Sequence, residues 1–209
     1  MNHRLNTHLK LKNRQAKVLT ALLLIPSIVL IGCGSSKADS TTISIDKDGK
    51  VVSTIIEDFG ESYYDLQELS DMATKEASVY NSDFMNDKVF LESVSKDEET
   101  GKVTMVLSYN SASDYSHFNQ VSLFYGTVSE ALEKGYKISE QLVDKDGNTL
   151  GEAGIQEHLD NHIIISSDKS NIKVPYNISY MSKGTNLKGK KEAVFTEVST
   201  DSAQLLLSK

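Results

Sequence analysis

The chain of 209 residues contains one cysteine, Cys33, and it closes an apolar run. That placement constrains everything downstream. No disulfide, Cys-x-x-Cys centre, zinc ribbon or cysteine nucleophile is open to the residues that follow, so their fold must be held by packing. Ahead of the run, Met1 to Lys17 carries Arg4, Lys10, Lys12, Arg14 and Lys17 without an acidic residue, and Val18 to Ile31 is apolar except for Thr20 and Ser27. A basic segment followed by a short apolar one is the pattern of an export signal. The run would span about 21 Å as a helix, short of a hydrocarbon core of roughly 30 Å, and Pro26 interrupts it. A permanent transmembrane helix is the poorer reading.

Leu30-Ile31-Gly32-Cys33 resembles the lipobox of bacterial lipoproteins. The resemblance implies that the Cys33 thiol receives a diacylglyceryl group, that a peptidase cuts after Gly32, and that the mature chain is held on the extracytoplasmic face of the cell membrane. Two acyl chains hold a protein durably where one holds it marginally. Residues 1–32 are then a removed signal peptide, 33–40 the lipidated cysteine and a flexible tether, and 41–209 a single domain. Gly34 to Ser40 is small and polar, with a reach of about 15 Å. The segment TTISIDKDGKVVSTIIEDF, Thr41 to Phe59, is similar to small lipoproteins of Gram-positive bacteria, a resemblance that carries no activity with it.

Removal of residues 1–32 leaves 177, enough for one domain with a real core. Five basic residues and no acid lie in the removed part. The mature chain therefore has 17 Lys+Arg against 29 Asp+Glu, a net charge of −12. An acidic body is repelled by polyanions, which argues against nucleic acid and against broad adhesion to anionic lipid. It is also short of the two-lobed build of a transporter's ligand-capturing subunit. Trp is absent, which lowers the weight of a carbohydrate-stacking module.

Periodicity places the elements. Thr41–Asp46 and Val51–Ile56 read as a hairpin about the Asp46-Lys47-Asp48-Gly49 turn. Ser62 with Asp65 reads as a capping-box-like start, and Leu66, Leu69, Met72, Ala73, Ala77 and Tyr80 recur at helical spacing, predicting a helix from about 63 to 80. Lys88–Ser95 and Lys102–Tyr109 form a second hairpin; residues 110–119 are loop or a short helical turn. Gln120–Tyr125 is a strand, Thr127 with Glu130 opens a short helix ending at Gly135, and Tyr136–Val143 is a strand leading into Asp144-Lys145-Asp146-Gly147. A short helix is expected within 151–161 and a buried strand over 162–166. Ile172, Val174, Tyr176, Ile178 and Tyr180 alternate as one strand that Pro175 pushes toward an edge. A lysine-rich loop over 182–191 and strands over 192–198 and 204–208 complete the chain. Hairpins rather than βαβ units predict an α+β fold: a largely antiparallel sheet with one long helix and short helices packed on it.

No catalytic signature emerges. Asp46, Asp48 and Glu57 sit at EF-hand-like spacing, but Val51 stands where the loop needs Gly. Asp-Gly is there a turn first. His158 and His162, with Asp160 and Glu157 nearby, would share one helix face if the helix reached that far, and with a carboxylate could hold zinc. Leu159 occupies the place of the zincin glutamate. Ser113, Asp114 and His117 bring the triad residue types within five positions, yet triads assemble through space. No P-loop precedes Gly101-Lys102. Lys183, Lys188, Lys190 and Lys191 form a solvated loop able to meet an anionic wall polymer or headgroup. Tyr63-Tyr64 beside Phe59 are expected to pack on the first hairpin. The expectation is a non-catalytic binding or interaction domain without a cofactor, its partner an extracytoplasmic protein or a cell-envelope ligand. The alternative is a metal-assisted hydrolase on the histidine pair.

Overall fold

Apolar side chains alternate in and out along most strands, but two strands are buried on both faces, and these set the layering. A computed structural model describes residues 40–61, 63–196 and 201–208. Leu30, Ile31, Gly32, Cys33 and the tether to residue 39 lie outside the described residues, as does Ser62.

Strands β1 (Thr42–Ile45) and β2 (Val51–Asp58) form the first hairpin, and β3 (Val89–Asp97) with β4 (Lys102–Tyr109) forms the second. Together with β7 (Asn171–Lys173), β9 (Thr185–Leu187) and β10 (Glu192–Phe195) they make a seven-stranded sheet of order β3-β4-β2-β1-β7-β10-β9. A second sheet, β5-β6-β11-β8, contains β5 (Leu123–Thr127), β6 (His162–Ser166), β11 (Ala203–Leu207) and β8 (Ile178–Met181). All pairings are antiparallel except β1 with β7. The architecture is mixed α and β with mostly antiparallel sheets, two of them rather than the one expected.

The second sheet lies between two apolar clusters. Ile164, Leu205 and Leu207 point into a core shared with Ile43, Val51, Leu107, Tyr109 and Ile172 of the first sheet. Ile163, Ile165 and Leu206 point the other way, onto Val128, Ala131, Leu142 and Ile155. Burial on both faces is why β6 and β11 contain the consecutive apolar triplets Ile163–Ile165 and Leu205–Leu207.

Helix α1 runs Leu66–Asn81. Its expected start at Tyr63 is three residues early. Asp65 is the N-cap, with an extended backbone and a carboxylate accepting from Glu68 N (2.9 Å), and a cap residue ends the helical dihedrals on its own side. Helices α2 (Ala112–Asn119), α3 (Val128–Glu133) and α4 (Gly151–Glu157) are short. Residues 110–119 are thus mostly helix, opened by Ser111, whose hydroxyl accepts from Asp114 N.

Two strand expectations and one loop expectation are overturned. Tyr136–Val143 forms no strand; Val143 makes isolated bridges to Thr149 and Met181. The Gln204 amide takes two of that segment's backbone groups, accepting from Ser139 N and donating to Lys137 O (both 2.9 Å), and others turn to Ala131 and Gly151. The alternation from Ile172 to Tyr180 is split at Pro175 into β7 and β8, which belong to different sheets, because proline supplies no ladder donor. The lysine-rich loop contains β9, three residues with no apolar alternation to announce them.

Candidate functional site

Two Asp-x-Asp-Gly turns fold alike, and one of them forms the wall of a cleft. Asp46 Oδ1 accepts from Asp48 N and Lys50 N (2.9 Å each), and Asp144 Oδ1 accepts from Asp146 N and Asn148 N (2.9 Å each). Gly49 and Gly147 close these turns at φ of 81° and 86°, where a side chain is strained. These carboxylates serve their own turns. Asn148, by its side chain first and its backbone second, holds the Asp144 carboxyl below its ordinary value.

The first turn meets α2, β5, β6 and the residues that follow α3, Lys134 and Tyr136, around a cleft of about 680 Å³. Pairing of β5 with β6 sets Tyr125 opposite Ile164 and Thr127 opposite His162, so Tyr125 and His162 share one face as diagonal neighbours. Their rings stack, with centroids 5.0 Å apart. Tyr176, from the segment broken at Pro175, stacks on the other side of His162 at 5.3 Å, and Lys47 Nζ lies 5.8 Å from the Tyr176 centroid. A Cβ on Gly49 would stand 3.3 Å from Tyr125 Cδ1, so the column packs against the turn at one end. On the far wall Lys134 Nζ sits 5.3 Å from the Phe124 centroid, and Phe124 leans on Tyr136.

Tyr125 carries the least satisfied group of this wall. Its hydroxyl is buried with no hydrogen-bond partner among the described residues. Burial first, then the neighbouring Tyr176, Asp46 and Asp48, push its pKa up to about 12. The group is a neutral donor at physiological pH.

The cleft floor is tied down by α2 and α3. Ser116 Oγ donates toward Ala112 O and Leu123 O and accepts from Leu123 N (2.8 Å), fixing α2 to β5. Thr127 and Glu130 form a full capping box: Glu130 N donates to Thr127 Oγ1 (3.1 Å) and Thr127 N to Glu130 Oε2 (2.7 Å). Glu130 crosses close over Gly126, where a Cβ would approach its carboxylate to 2.7 Å. The Thr127 backbone N–H, then its hydroxyl, hold the Glu130 carboxyl below its ordinary value.

The sequence candidates scatter. α4 stops at Glu157; His158 is its C-cap, and its Nδ1, which must carry the proton, donates to Gly154 O (2.9 Å). His162 opens β6 instead of continuing a helix, so the expected shared helix face does not exist. Among the described residues no three His, Cys, Asp or Glu side chains are grouped to hold a metal. Asp114 takes the Ser111 hydroxyl (2.6 Å) and the Tyr80 hydroxyl (3.5 Å), and makes no hydrogen bond to His117. The triad residue types of α2 are therefore not wired as a relay. Phe59, Tyr63 and Tyr64 pack on one another at 4.8 Å, and Tyr63 stays 73% exposed.

No known family, no curated protein and no solved structure matches this chain. The reading of the site thus rests on its own geometry. The stacked column was missed in the sequence because Tyr125, His162 and Tyr176 carry no local spacing in common. Only the strand register brings them together. What the cleft offers is ring faces, two ammonium groups, serine hydroxyls and an unused phenol, which is chemistry for holding a ligand.

Proposed function

We propose that the chain is a lipoprotein held at the extracytoplasmic face of the cell membrane through diacylglyceryl-Cys33, and that its folded domain acts by binding a cell-envelope ligand or protein without catalysis. The anchor half of this reading rests on Leu30-Ile31-Gly32-Cys33 following an apolar run too short to span a bilayer. Among the described residues no helix is long and apolar enough to cross a membrane. The binding half rests on the cleft beside the Tyr125–His162–Tyr176 column. Asp46, Ser116 and Glu130 are spent on a turn, a strand tie and a cap, while the Tyr125 hydroxyl is buried with no hydrogen-bond partner among the described residues. A buried donor without a partner costs free energy that an apolar replacement would recover, and a bound acceptor would satisfy it.

Two measurements test the two halves. Intact-mass analysis of protein from its own host should show a diacylglyceryl group on an N-terminal Cys33, and Cys33→Ala should release the chain from the membrane fraction. An unmodified thiol sinks the anchor. For the cleft, a photocrosslinking residue at Ser113 on the rim should capture a ligand in cells, whereas one at Glu98, on the distant β3–β4 turn, should not. Equal yields from both positions remove the cleft as the binding site.

A further inference from the structure

From Lys169 to Lys191 the chain has six lysines and no carboxylate, in a mature protein with twelve more acids than bases. Topology gathers most of that charge at one end of the seven-stranded sheet. β7 runs parallel to β1 with Ser44 opposite Lys173, and the β9–β10 turn, Lys188 to Lys191, folds over the same end. This turn is held in place: Val174 N donates to Lys191 O (2.9 Å), Ile178 N to Lys190 O (2.8 Å), and Lys191 Nζ to Pro175 O (2.7 Å). Lys47 joins from the β1–β2 turn through its contact with Tyr176. Lys47, Lys188, Lys190 and Lys191 are all exposed. The carboxylates nearby are accounted for or few: Glu192 pairs with Lys173 (3.8 Å), Asp46 caps its turn, and Asp48 lines the cleft.

The opposite end of the sheet has the opposite sign. Glu57, Asp58, Glu61, Glu98 and Glu99 are exposed there, beside Ser40, where the chain enters β1. Between the two ends β2 runs eight residues, from Val51 beside the Lys47 turn to Asp58, a span of about 24 Å. An anchored domain would therefore carry its basic strip well away from the point where its tether arrives.

We propose that this strip is a docking surface for a linear polyanion of the cell envelope, a phosphate-bearing polymer lying across Lys188, Lys190, Lys191 and Lys47. The inference names the partner class for the extracytoplasmic reading above and rests on it for location. A row of ammonium groups on a preorganised turn gains from several weak, salt-screened contacts with successive phosphates. A net charge of −12 on the mature chain, these four lysines included, confines attraction to this strip, which suits a thin flexible chain better than a duplex or a broad bilayer surface.

The test uses the acylated protein from its host in nonionic detergent, titrated calorimetrically with soluble poly(glycerol phosphate) at about 50 mM and about 300 mM salt. Binding should appear at low salt and weaken at high salt. Lys188→Gln/Lys190→Gln/Lys191→Gln should weaken it about tenfold or more, and Lys188→Gln/Lys190→Gln, which leaves the Lys191 to Pro175 bond intact, by less. Lys96→Gln/Lys102→Gln, at the acidic end, should bind as the parent does. No binding at low salt, equal binding by the triple variant, or retention on phosphatidylglycerol vesicles without polymer binding overturns the proposal. The two readings fail separately: polymer binding with an unacylated Cys33 removes the location and keeps the surface, and an acylated protein that ignores the polymer does the reverse.

Discussion

Tyr125 shows how a single residue divides between stability and binding. Its ring is stacked on His162 and packed against Gly49, so the side chain is well placed, yet its hydroxyl has lost water without gaining a partner among the described residues. An unpaired buried hydroxyl is a net cost, and deleting it leaves the ring contacts in place. Tyr125→Phe should therefore stabilise the ligand-free protein by about 1 kcal/mol in urea unfolding. A loss of stability of that size would mean the hydroxyl already has a partner and is not reserved. In the Ser113 crosslinking experiment the same variant should lower the yield, which packing alone would not do.

At the scale of elements, α3 is six residues long and owes its existence to its ends. A helix this short is not stable by propensity; the Thr127–Glu130 box satisfies two of its free donors, and Val128 and Ala131 bury its inner face. Glu130 has a folded pKa below its ordinary 4.5. A depressed carboxyl stabilises the fold above its unfolded value, and that contribution disappears as pH falls through the lower folded value. Stability measured from neutral pH down to about pH 3 should decline more steeply in the parent than in Glu130→Gln, whose amide oxygen still accepts from Thr127 N but does not titrate. Identical acid profiles would place the acid sensitivity elsewhere. Residues 127–135 were readable in advance because a capping box is a local pattern. Tyr136–Val143 forms no strand despite its β-rich composition, which says nothing of Gln204, 65 residues beyond Ser139, whose amide takes the Ser139 N–H and the Lys137 carbonyl.

For the whole molecule, the last strand is its keystone. β11 lies between β6 and β8, pairs with both, and sends Leu205 and Leu207 into one apolar cluster and Leu206 into the other. All three leucines are at most 1% exposed. At about 1.5–3 kcal/mol for each buried side chain, they contribute roughly 5–9 kcal/mol, against a total of about 5–15 kcal/mol for a typical domain. A chain ending before Ala203 should lose cooperative unfolding altogether, as read by circular dichroism against urea. A truncated chain that still unfolds in one sharp transition would mean that the first sheet folds without the second.

What the letters determine by themselves is whatever depends on near neighbours: the Asp-Gly turns, the hairpins, the helix on Leu66 to Tyr80, the capping box of α3, and the lone cysteine after an apolar run. Each is a contest between local donors, φ preferences and side-chain period, settled within a few residues. What tertiary structure decides is which strands share a sheet. The division of the Ile172 to Tyr180 alternation between two sheets, the placing of β11 between two cores, and the gathering of Tyr125, His162 and Tyr176 into one column depend on register between segments far apart in sequence. A strand's period of two tells which side chains face the same way; it does not tell what they face.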